Sequence, residues 1–569
     1  MPLQEHLQRL INSFDEGLGL SLLRGLIAII VIVGLFAFYV STQFRGLREP
    51  AAMDAAQVAR NLSEGKGMTT RCIRPFDVGF LGVGDGDQID VDSFSEIRMP
   101  PLYPALLAAA FTLVHPSFEV GMNWKIYEPE LIAILPLACL LIVVIALVVT
   151  GLAGRLFDWR VAGTALAVFV LSETVYVAGI SGTSAILDML LTTLTIGGVV
   201  WAIGLRGRQV PAVIWCVVVV MSGVCCGLAV LSNFGLLAIA PAAVILLGLS
   251  LQRWRWTAIS LFLVALVIVL VPWMARNQDV TGSPLGLAGY AAVSESVLYP
   301  GDVLDRSASP ELQQEHVAEA IKIKFIQRLQ NLIRTNIRAL GEGIVLCFFF
   351  VAMFYRLEDE FANRLKWSAF IAVVMLIVSV CLGSDSQLLS AGLPLVVIVG
   401  TGFFFEVLDR MPFADEAWKK LVMAVFVLVA GAPIALTFLA RQPERPYPPY
   451  APPYINYVGG LIDDGETLCT DIPWATAWYG KCASLLLPRD TQALEELDRN
   501  CLRIGGVYLT QATGNKSYTS ELETGRDKSW LPLLRHLAPE SFRWKHGSAI
   551  PPGSREQIFL TDRPRWEER

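Results

Sequence analysis

The chain has few charged residues and few cysteines for its length. Of its 569 residues, 17% are Asp, Glu, Lys or Arg, against about 25% in soluble domains. The 45 basic residues are outnumbered by 51 acidic ones, so nucleic acid is excluded as the default partner because its phosphates need clustered Lys and Arg. Ten cysteines are too few for a disulfide scaffold, and a hydrophobic content of 54% excludes general disorder.

The chain contains many long hydrophobic runs. The first run extends from Gly25 to Val40, and no small-residue cleavage site follows it, so we predict an anchored helix rather than a signal peptide. Ten further runs lie near 131–150, 161–180, 183–204, 212–231, 235–251, 257–275, 341–355, 367–383, 388–407 and 418–440. Because about 20 apolar residues cross a bilayer, the sequence predicts a polytopic α-helical membrane protein with about eleven spans.

Basic residues orient these spans. They fall in every second loop between the runs, as Arg155 with Arg160, Arg206 with Arg208, Arg253 with Arg255, Arg356 with Arg364 and Lys366, and Lys419 with Lys420. The positive-inside rule places these loops in the cytoplasm only if the apolar segment 101–114, about 14 residues long, does not cross. We therefore predict an interfacial or re-entrant helix there, a cytoplasmic N-terminus and an extracytoplasmic C-terminus.

This topology divides the chain into a membrane domain and an outer domain. The membrane domain covers 1–440 and contains a first outer loop at 41–101 and a second at 276–340. Residues 441–455 form a linker rich in Pro and Tyr, a composition that favours extended polyproline geometry. Residues 456–569 predict a small α/β domain, with strands at 466–470, 483–487 and 503–509 and helical segments at 473–479 and 490–500. A Cys469–Cys482 disulfide is compatible with it if the first two strands are adjacent.

Polar side chains gather at the outer ends of the predicted spans. Charged groups at membrane depth are costly unless they are paired or used, so we predict a functional cavity that opens outward. The set comprises Glu173, Asp188, Asn233, Arg276, Asn277, Asp385 and Gln387.

The first outer loop begins with an amphipathic segment. Apolar Met53, Ala56, Ala59 and Leu62 share one helical stripe, and Gly65 follows its end. The pattern is typical of a helix that lies along the membrane surface.

Four motifs together resemble one family of membrane enzymes. They read ARNLSEGKGMTT from residue 59, RMPPLYPALLA from 98, PWMARNQDVTGSP from 272 and CTDIPWATAWYGKCASLLLP from 469. In this order they resemble the GT-C glycosyltransferases, in particular the bacterial protein-mannosyltransferase and aminoarabinose-transferase-like group. The resemblance implies a GT-C fold in a bacterial inner membrane. It also implies transfer of a sugar from a polyprenyl-phosphate carrier to an unidentified acceptor on the outer face.

The resemblance also implies a carboxylate in the first outer loop, acting as base or metal ligand. The family often has an acidic pair where this chain has Ala51 and Ala52. Asp54, about one helical turn later, is the predicted base, and Glu49 is the second candidate.

Binding of the phosphate leaving group calls for guanidinium or amide donors. Many relatives have a basic residue directly before the double proline, whereas here Arg98 stands one place earlier. The predicted substrate-binding residues are Arg71, Arg74, Arg98, Asp188, Asn233, Arg276 and Asn277.

An acidic stretch at 85–96 raises the question of a metal. Asp85, Asp87 and Glu96 match positions 1, 3 and 12 of a calcium loop, but Ile89 and Asp90 break the pattern. A divalent cation held by Asp85 and Asp87 and a solvated acidic loop both remain open.

Two other functions remain open from the sequence. A secondary transporter would also place outward-facing polar groups within a helix bundle, although the chain shows no internal repeat. A catalytically inactive relative with an assembly role is the other, because of the alanines at 51 and 52.

Overall fold

A computed structural model describes residues 18–82, 89–121, 126–207, 211–308, 316–357, 359–383, 385, 387–411, 416–439, 451–514, 525–535, 537–549 and 557–567. Asp85, Asp87 and most of the predicted linker lie outside these residues.

The membrane part is a bundle of long apolar helices, as predicted. In the described residues, seven helices are long and apolar enough to cross a bilayer: Leu23–Gln43, Glu130–Leu156, Ala185–Leu205, Ala212–Ser232, Arg255–Thr281, Glu360–Leu382 and Gln387–Arg410. Two helix pairs, Trp159–Leu171 with Glu173–Ser181 and Glu416–Ala430 with Ala432–Leu439, are bent by 51° and 52° and raise the number to nine if each pair is one span.

Three apolar helices are shorter than a full span. Phe234–Ser250 and Gly343–Met353 occupy the two remaining predicted spans, and Leu102–Val114 is the segment predicted not to cross. An 11-residue helix such as Gly343–Met353 rises about 16 Å, roughly half the hydrocarbon thickness. The count of eleven therefore stays a prediction.

The first outer loop carries a helix at Pro50–Ser63, as predicted, and shorter elements at Cys72–Ile73 and Pro75–Phe80. A helix that lies along the membrane surface should expose its polar side to water. Here that expectation is wrong, because the polar residues Asp54, Gln57, Arg60 and Asn61 are all buried. Helix Pro473–Tyr479 of the outer domain packs on one side and helix Leu102–Val114 on another. Two domains thus enclose the loop helix.

The outer domain is built on a six-stranded mixed sheet. Its strands are β1 (Cys72–Ile73), β2 (Thr467–Thr470), β3 (Ala483–Leu486), β4 (Ile504–Leu509), β5 (His546–Ala549) and β6 (Ile558–Thr561), in the order β1-β3-β2-β4-β6-β5. The first four are parallel, and β6 and β5 add antiparallel pairs. The sheet therefore takes its edge strand β1 from the first outer loop and crosses the predicted domain boundary.

Outside the sheet, the remaining helices of this domain are Pro452–Gly459, Pro473–Tyr479, Thr491–Asn500, Gln511–Gly514 and Leu531–Leu534. The first of these begins inside the predicted linker, because Pro452 and Pro453 occupy its first turn, where a missing N–H costs nothing. The compatible disulfide is absent, since both cysteines are free thiols. Strand β2 does lie beside β3, but the register sets Cys469 opposite Leu485, three residues beyond Cys482.

A buried carboxylate joins the membrane bundle to the outer domain. Glu130, at the start of a span, accepts hydrogen bonds from Trp478 Nε1 at 2.9 Å and from the Tyr479 hydroxyl at 2.7 Å. Its other oxygen accepts from the Leu47 N–H at 3.2 Å. Glu130 is fully buried, so these three donors replace the water that its carboxylate gives up.

Arg60 of the loop helix adds further hydrogen bonds to the outer domain. Its guanidinium donates to the Trp478 carbonyl at 2.9 Å and to the Ala477 carbonyl at 2.8 Å. These are free carbonyls at the C-terminal end of helix Pro473–Tyr479, where a cation is stabilising.

Replacing Glu130 should therefore loosen the outer domain. Glu130→Ala leaves the Trp478, Tyr479 and Leu47 donors buried without an acceptor, and we expect a loss of about 2–4 kcal/mol in stability. Thermal unfolding and limited proteolysis of the outer domain in detergent measure it. Glu128→Ala, at an exposed position two residues earlier, is the matched control. Equal melting temperatures for the two variants would contradict the anchoring role.

Candidate active site

Five charged side chains from three outer segments form a network beside the sheet, which we call the loop network: Asp54, Arg74, Asp77, Arg98 and Asp305. Arg74 donates to Asp54 Oδ2 at 2.5 Å. Arg98 donates to Asp77 at 2.6 Å through Nε and to Asp305 at 2.8 Å through Nη1. The network ties the second outer loop to the first.

Local structure explains these positions. Arg74 follows β1 and caps helix Pro75–Phe80, whose first turn contains Asp77. Burial raises the pKa of Asp77, although Arg98 and Arg74 act in the opposite direction. Asp77 and Asp305 are not among the site residues predicted from the sequence. The arginines of the outer loop were the signal that could have found them, because such arginines need buried or nearby acidic partners.

Arg276 and Asn277 join the network to the end of a span. The Arg276 guanidinium lies over the Trp273 ring, 4.7 Å from its centroid, and donates to the Glu96 carbonyl at 2.5 Å. Glu96 is itself buried, and its carboxylate accepts from the Arg98 and Met99 N–H groups at 2.6 and 3.1 Å. Burial raises the pKa of Glu96.

Arg71 lies elsewhere, at a polar cavity of about 330 Å³ beside the amino ends of β2 and β3. It forms an ion pair with Asp92 at 2.9 Å and donates to the Lys481 carbonyl. The four arginines predicted to hold phosphate therefore already contact carboxylates or carbonyls of the protein.

A second group of polar side chains lies together at the outer helix ends. We call it the outer cluster: Glu49, Asp188, Asn233 and Asp385. Asn233 donates to Asp385 at 2.9 Å. Asp188 is buried and accepts from Ser232 at 2.6 Å and from Ser184 at 3.0 Å. The structure thus brings two predicted substrate-binding residues to one place.

Glu49 is an exposed carboxylate at the start of the loop helix. It is the N-terminal cap residue of Pro50–Ser63, where the helix dipole favours a negative charge, and its side chain is exposed. Partial burial raises its pKa, and the charge of Asp385 raises it further. An accessible carboxylate with a raised pKa has properties that suit a general base.

Asp54, the first predicted base, has a different environment. Its side chain is only 5% exposed and one oxygen is bound to Arg74, so an acceptor cannot reach it directly. Its other oxygen, Oδ1, is buried without a hydrogen bond among the described residues. Of the two carboxylates predicted as base, Asp54 is thus buried and paired with Arg74, whereas Glu49 is exposed.

The described residues contain no group of three or more His, Cys, Asp or Glu side chains arranged to hold a metal ion. The divalent cation implied for Asp85 and Asp87 falls outside the described part of the chain, so no chemical step is assigned to a metal.

Comparison with known proteins bears on the fold. No protein-family model matches the chain, and no curated relative matches it significantly. Solved structures do match. The Archaeoglobus fulgidus oligosaccharyltransferase tethered to an acceptor peptide aligns with a TM-score of 0.58 at 11% identity, over 98% of this chain and 75% of that one.

Two more solved structures agree. ArnT from Cupriavidus metallidurans, bound to undecaprenyl phosphate, aligns with a TM-score of 0.53 at 10% identity, over 95% of this chain and 98% of that one. The archaeal oligosaccharyltransferase AglB from A. fulgidus, with an inhibitory peptide and a dolichol-phosphate, gives 0.54 at 10% identity, over 97% and 75%. The chain has the GT-C fold, which confirms the fold class predicted from the sequence.

We expect the loop network to stabilise the folded protein. Arg98→Ala leaves the buried Asp77 without its partner, and we expect a loss of about 3–5 kcal/mol. The control is Arg364→Ala, which removes an exposed pair with Glu360 at 2.8 Å worth about 0.5 kcal/mol. Denaturation in detergent compares the two. A change in Arg98→Ala no larger than in the control would show that the network does not hold the loops together.

Proposed function

We propose that the chain is a membrane glycosyltransferase that moves a sugar from a polyprenyl-phosphate carrier to an acceptor on the outer face of the membrane. The observation that carries the proposal is the outer cluster of a GT-C fold. In it the exposed Glu49 lies within the electrostatic influence of Asp385, which accepts from Asn233 at 2.9 Å, and Asp188 is buried. Two structural neighbours were solved with undecaprenyl phosphate or dolichol-phosphate. Their presence supports a lipid-phosphate donor for this chain.

In the proposed reaction Glu49 is the general base. It takes the proton from an acceptor hydroxyl or amine while the acceptor atom attacks the anomeric carbon of the sugar. The bond from that carbon to the phosphate oxygen breaks, and polyprenyl phosphate leaves with the electron pair. Asn233 orients the sugar by hydrogen bonds, which is what sites for polar ligands require. The buried Asp188 supports this arrangement from below through its bonds with Ser232 and Ser184.

The acceptor stays unassigned. The cavity beside Arg71 and Lys481 is polar, but none of the residues of the outer cluster lines it. It is therefore not proposed as the place where the acceptor atom reacts.

Removing the base should abolish transfer without unfolding the protein. Glu49→Gln keeps the shape of the side chain, and we expect transfer to fall by about 10²–10⁴-fold. The assay follows radiolabel from a panel of undecaprenyl-phosphate-linked sugars into a bacterial envelope extract. Glu64→Gln, an exposed residue at the other end of the same helix, is the charge-matched control.

Three outcomes contradict parts of this proposal. Normal transfer by Glu49→Gln together with loss in a stable Asp54→Asn variant would return the base to Asp54. Equal loss in Glu64→Gln would point to a general charge effect. No transfer by the folded wild-type protein from any carrier sugar would favour the inactive relative with an assembly role.

The pH dependence gives a separate test of Glu49. Because the charge of Asp385 helps to raise the pKa of Glu49, Asp385→Asn should lower that pKa. The base then stays deprotonated at lower pH, so the acidic limb of the kcat/KM profile should move to lower pH, while Glu64→Gln leaves it in place. A limb that stays fixed or moves to higher pH would exclude Glu49 as the titrating base.

A further inference from the structure

The segment between the second outer loop and helix Gly343–Met353 has an irregular backbone. Helix Val317–Asn331 passes into a π-helical turn at Leu332–Asn336 and then a 3-10 turn at Ile337–Leu340. Gly341 follows with a φ of 142°, which favours glycine. Departures from α-helical geometry of this kind are often found at functional sites.

The depth of this segment follows from the short helix after it. Helix Gly343–Met353 rises only about half the hydrocarbon thickness. On the predicted orientation, with Arg356 at the cytoplasmic side, residues 332–342 lie at the depth of the outer leaflet. Non-helical backbone and charged residues at such a depth are expected where protein or a water-filled opening satisfies them.

Two arginines stand on this segment, four positions apart. Arg334 and Arg338 are both exposed, and neither guanidinium contacts a carboxylate among the described residues. The nearby acids are already engaged: Glu342 accepts from the Glu173 N–H at 3.2 Å, and Glu173 accepts from Thr437 at 2.5 Å. The arginines therefore keep their donors for another anion.

The same segment adjoins the outer cluster. The turn at Ile337–Leu340 packs against the turn at Gln387–Gly392, which directly follows Asp385. Gln387 accepts from Thr183 at 2.8 Å, just before the helix that carries Asp188. Thr174 also donates to the Arg338 carbonyl at 3.3 Å, which fixes the turn.

An exposed aliphatic side chain adjoins the arginines. Ile333, next to Arg334 in the chain, is 60% exposed. Guanidinium groups next to an exposed aliphatic side chain at the outer leaflet match the two parts of a lipid phosphate: an anionic head and an isoprenoid chain.

We propose that Arg334 and Arg338 bind the phosphate of the polyprenyl carrier where it reaches the outer cluster from the membrane. This inference rests on the proposed function. It also supplies what the arginines predicted from the sequence do not, since Arg71, Arg74, Arg98 and Arg276 already contact other groups of the protein. A forked guanidinium gives two parallel hydrogen bonds to a phosphate, which an ammonium does not reproduce.

The test measures binding separately from transfer. Full-length protein in phosphatidylcholine nanodiscs is titrated with radiolabelled undecaprenyl phosphate. We expect Arg334→Ala and Arg338→Ala each to weaken binding by about tenfold or more, and the Lys variants to recover only part of it. Lys322→Ala removes an exposed cation on the same outer segment and should stay within about twofold of wild type.

A second arm separates the carrier from ordinary anionic lipid. Adding phosphatidylglycerol to the nanodiscs should leave undecaprenyl phosphate binding largely unchanged, whereas equal competition would show a site for any anionic lipid and overturn the assignment. Wild-type affinity in the double alanine variant would also overturn it.

Failure of this inference is distinguishable from failure of the proposed function. Glu49→Gln should bind undecaprenyl phosphate like wild type while it fails to transfer. If that holds but the arginine variants bind normally, the function stands and the assignment of Arg334 and Arg338 falls. If the folded wild-type protein does not bind undecaprenyl phosphate, both fall together.

Discussion

The arrangement of the outer face depends on the buried carboxylate of Glu130. Its two oxygens take hydrogen bonds from the first outer loop and from two aromatic side chains of the outer domain. An uncompensated carboxylate in that position costs several kcal/mol, so the three donors must approach together. This requirement sets the outer domain over the loop helix, which begins next to Glu49 of the outer cluster.

Much of the fold is readable from the sequence because it follows from period and length. Apolar runs mark the spans, and the helix at Thr491–Asn500 and strands β2 to β4 lie within about two residues of their predicted positions. Strand β1 was not predictable, because two residues carry no periodic signal and their partner is about 410 positions away. Strands β5 and β6 are not among the predicted strands. Their length is not the reason, because the predicted strands β2 and β3 are equally short.

The candidate site was less predictable than the fold. Sequence position shows that Asp54 and Glu49 share a helix, but not that the outer domain covers one and leaves the other open. The loop arginines were predicted to be phosphate ligands because the sequence does not reveal their acidic partners. Asp305, the partner of Arg98, lies in a distant segment of the chain. Some arginines, such as Arg98, form ion pairs that hold the outer loops together, whereas Arg334 and Arg338 are proposed to bind the carrier. Only the tertiary contacts distinguish the two groups.

The position of β1 has a consequence for biosynthesis. Its neighbour in the sheet, β3, is made roughly 410 residues later and must be outside the membrane before the two can pair. The first outer loop is thus synthesised well before its partner strand. Its strand edge and the polar side of its helix stay uncovered while the remaining spans are inserted. The loop that carries the proposed base is completed only when the last part of the chain arrives, so a truncated product cannot assemble the site.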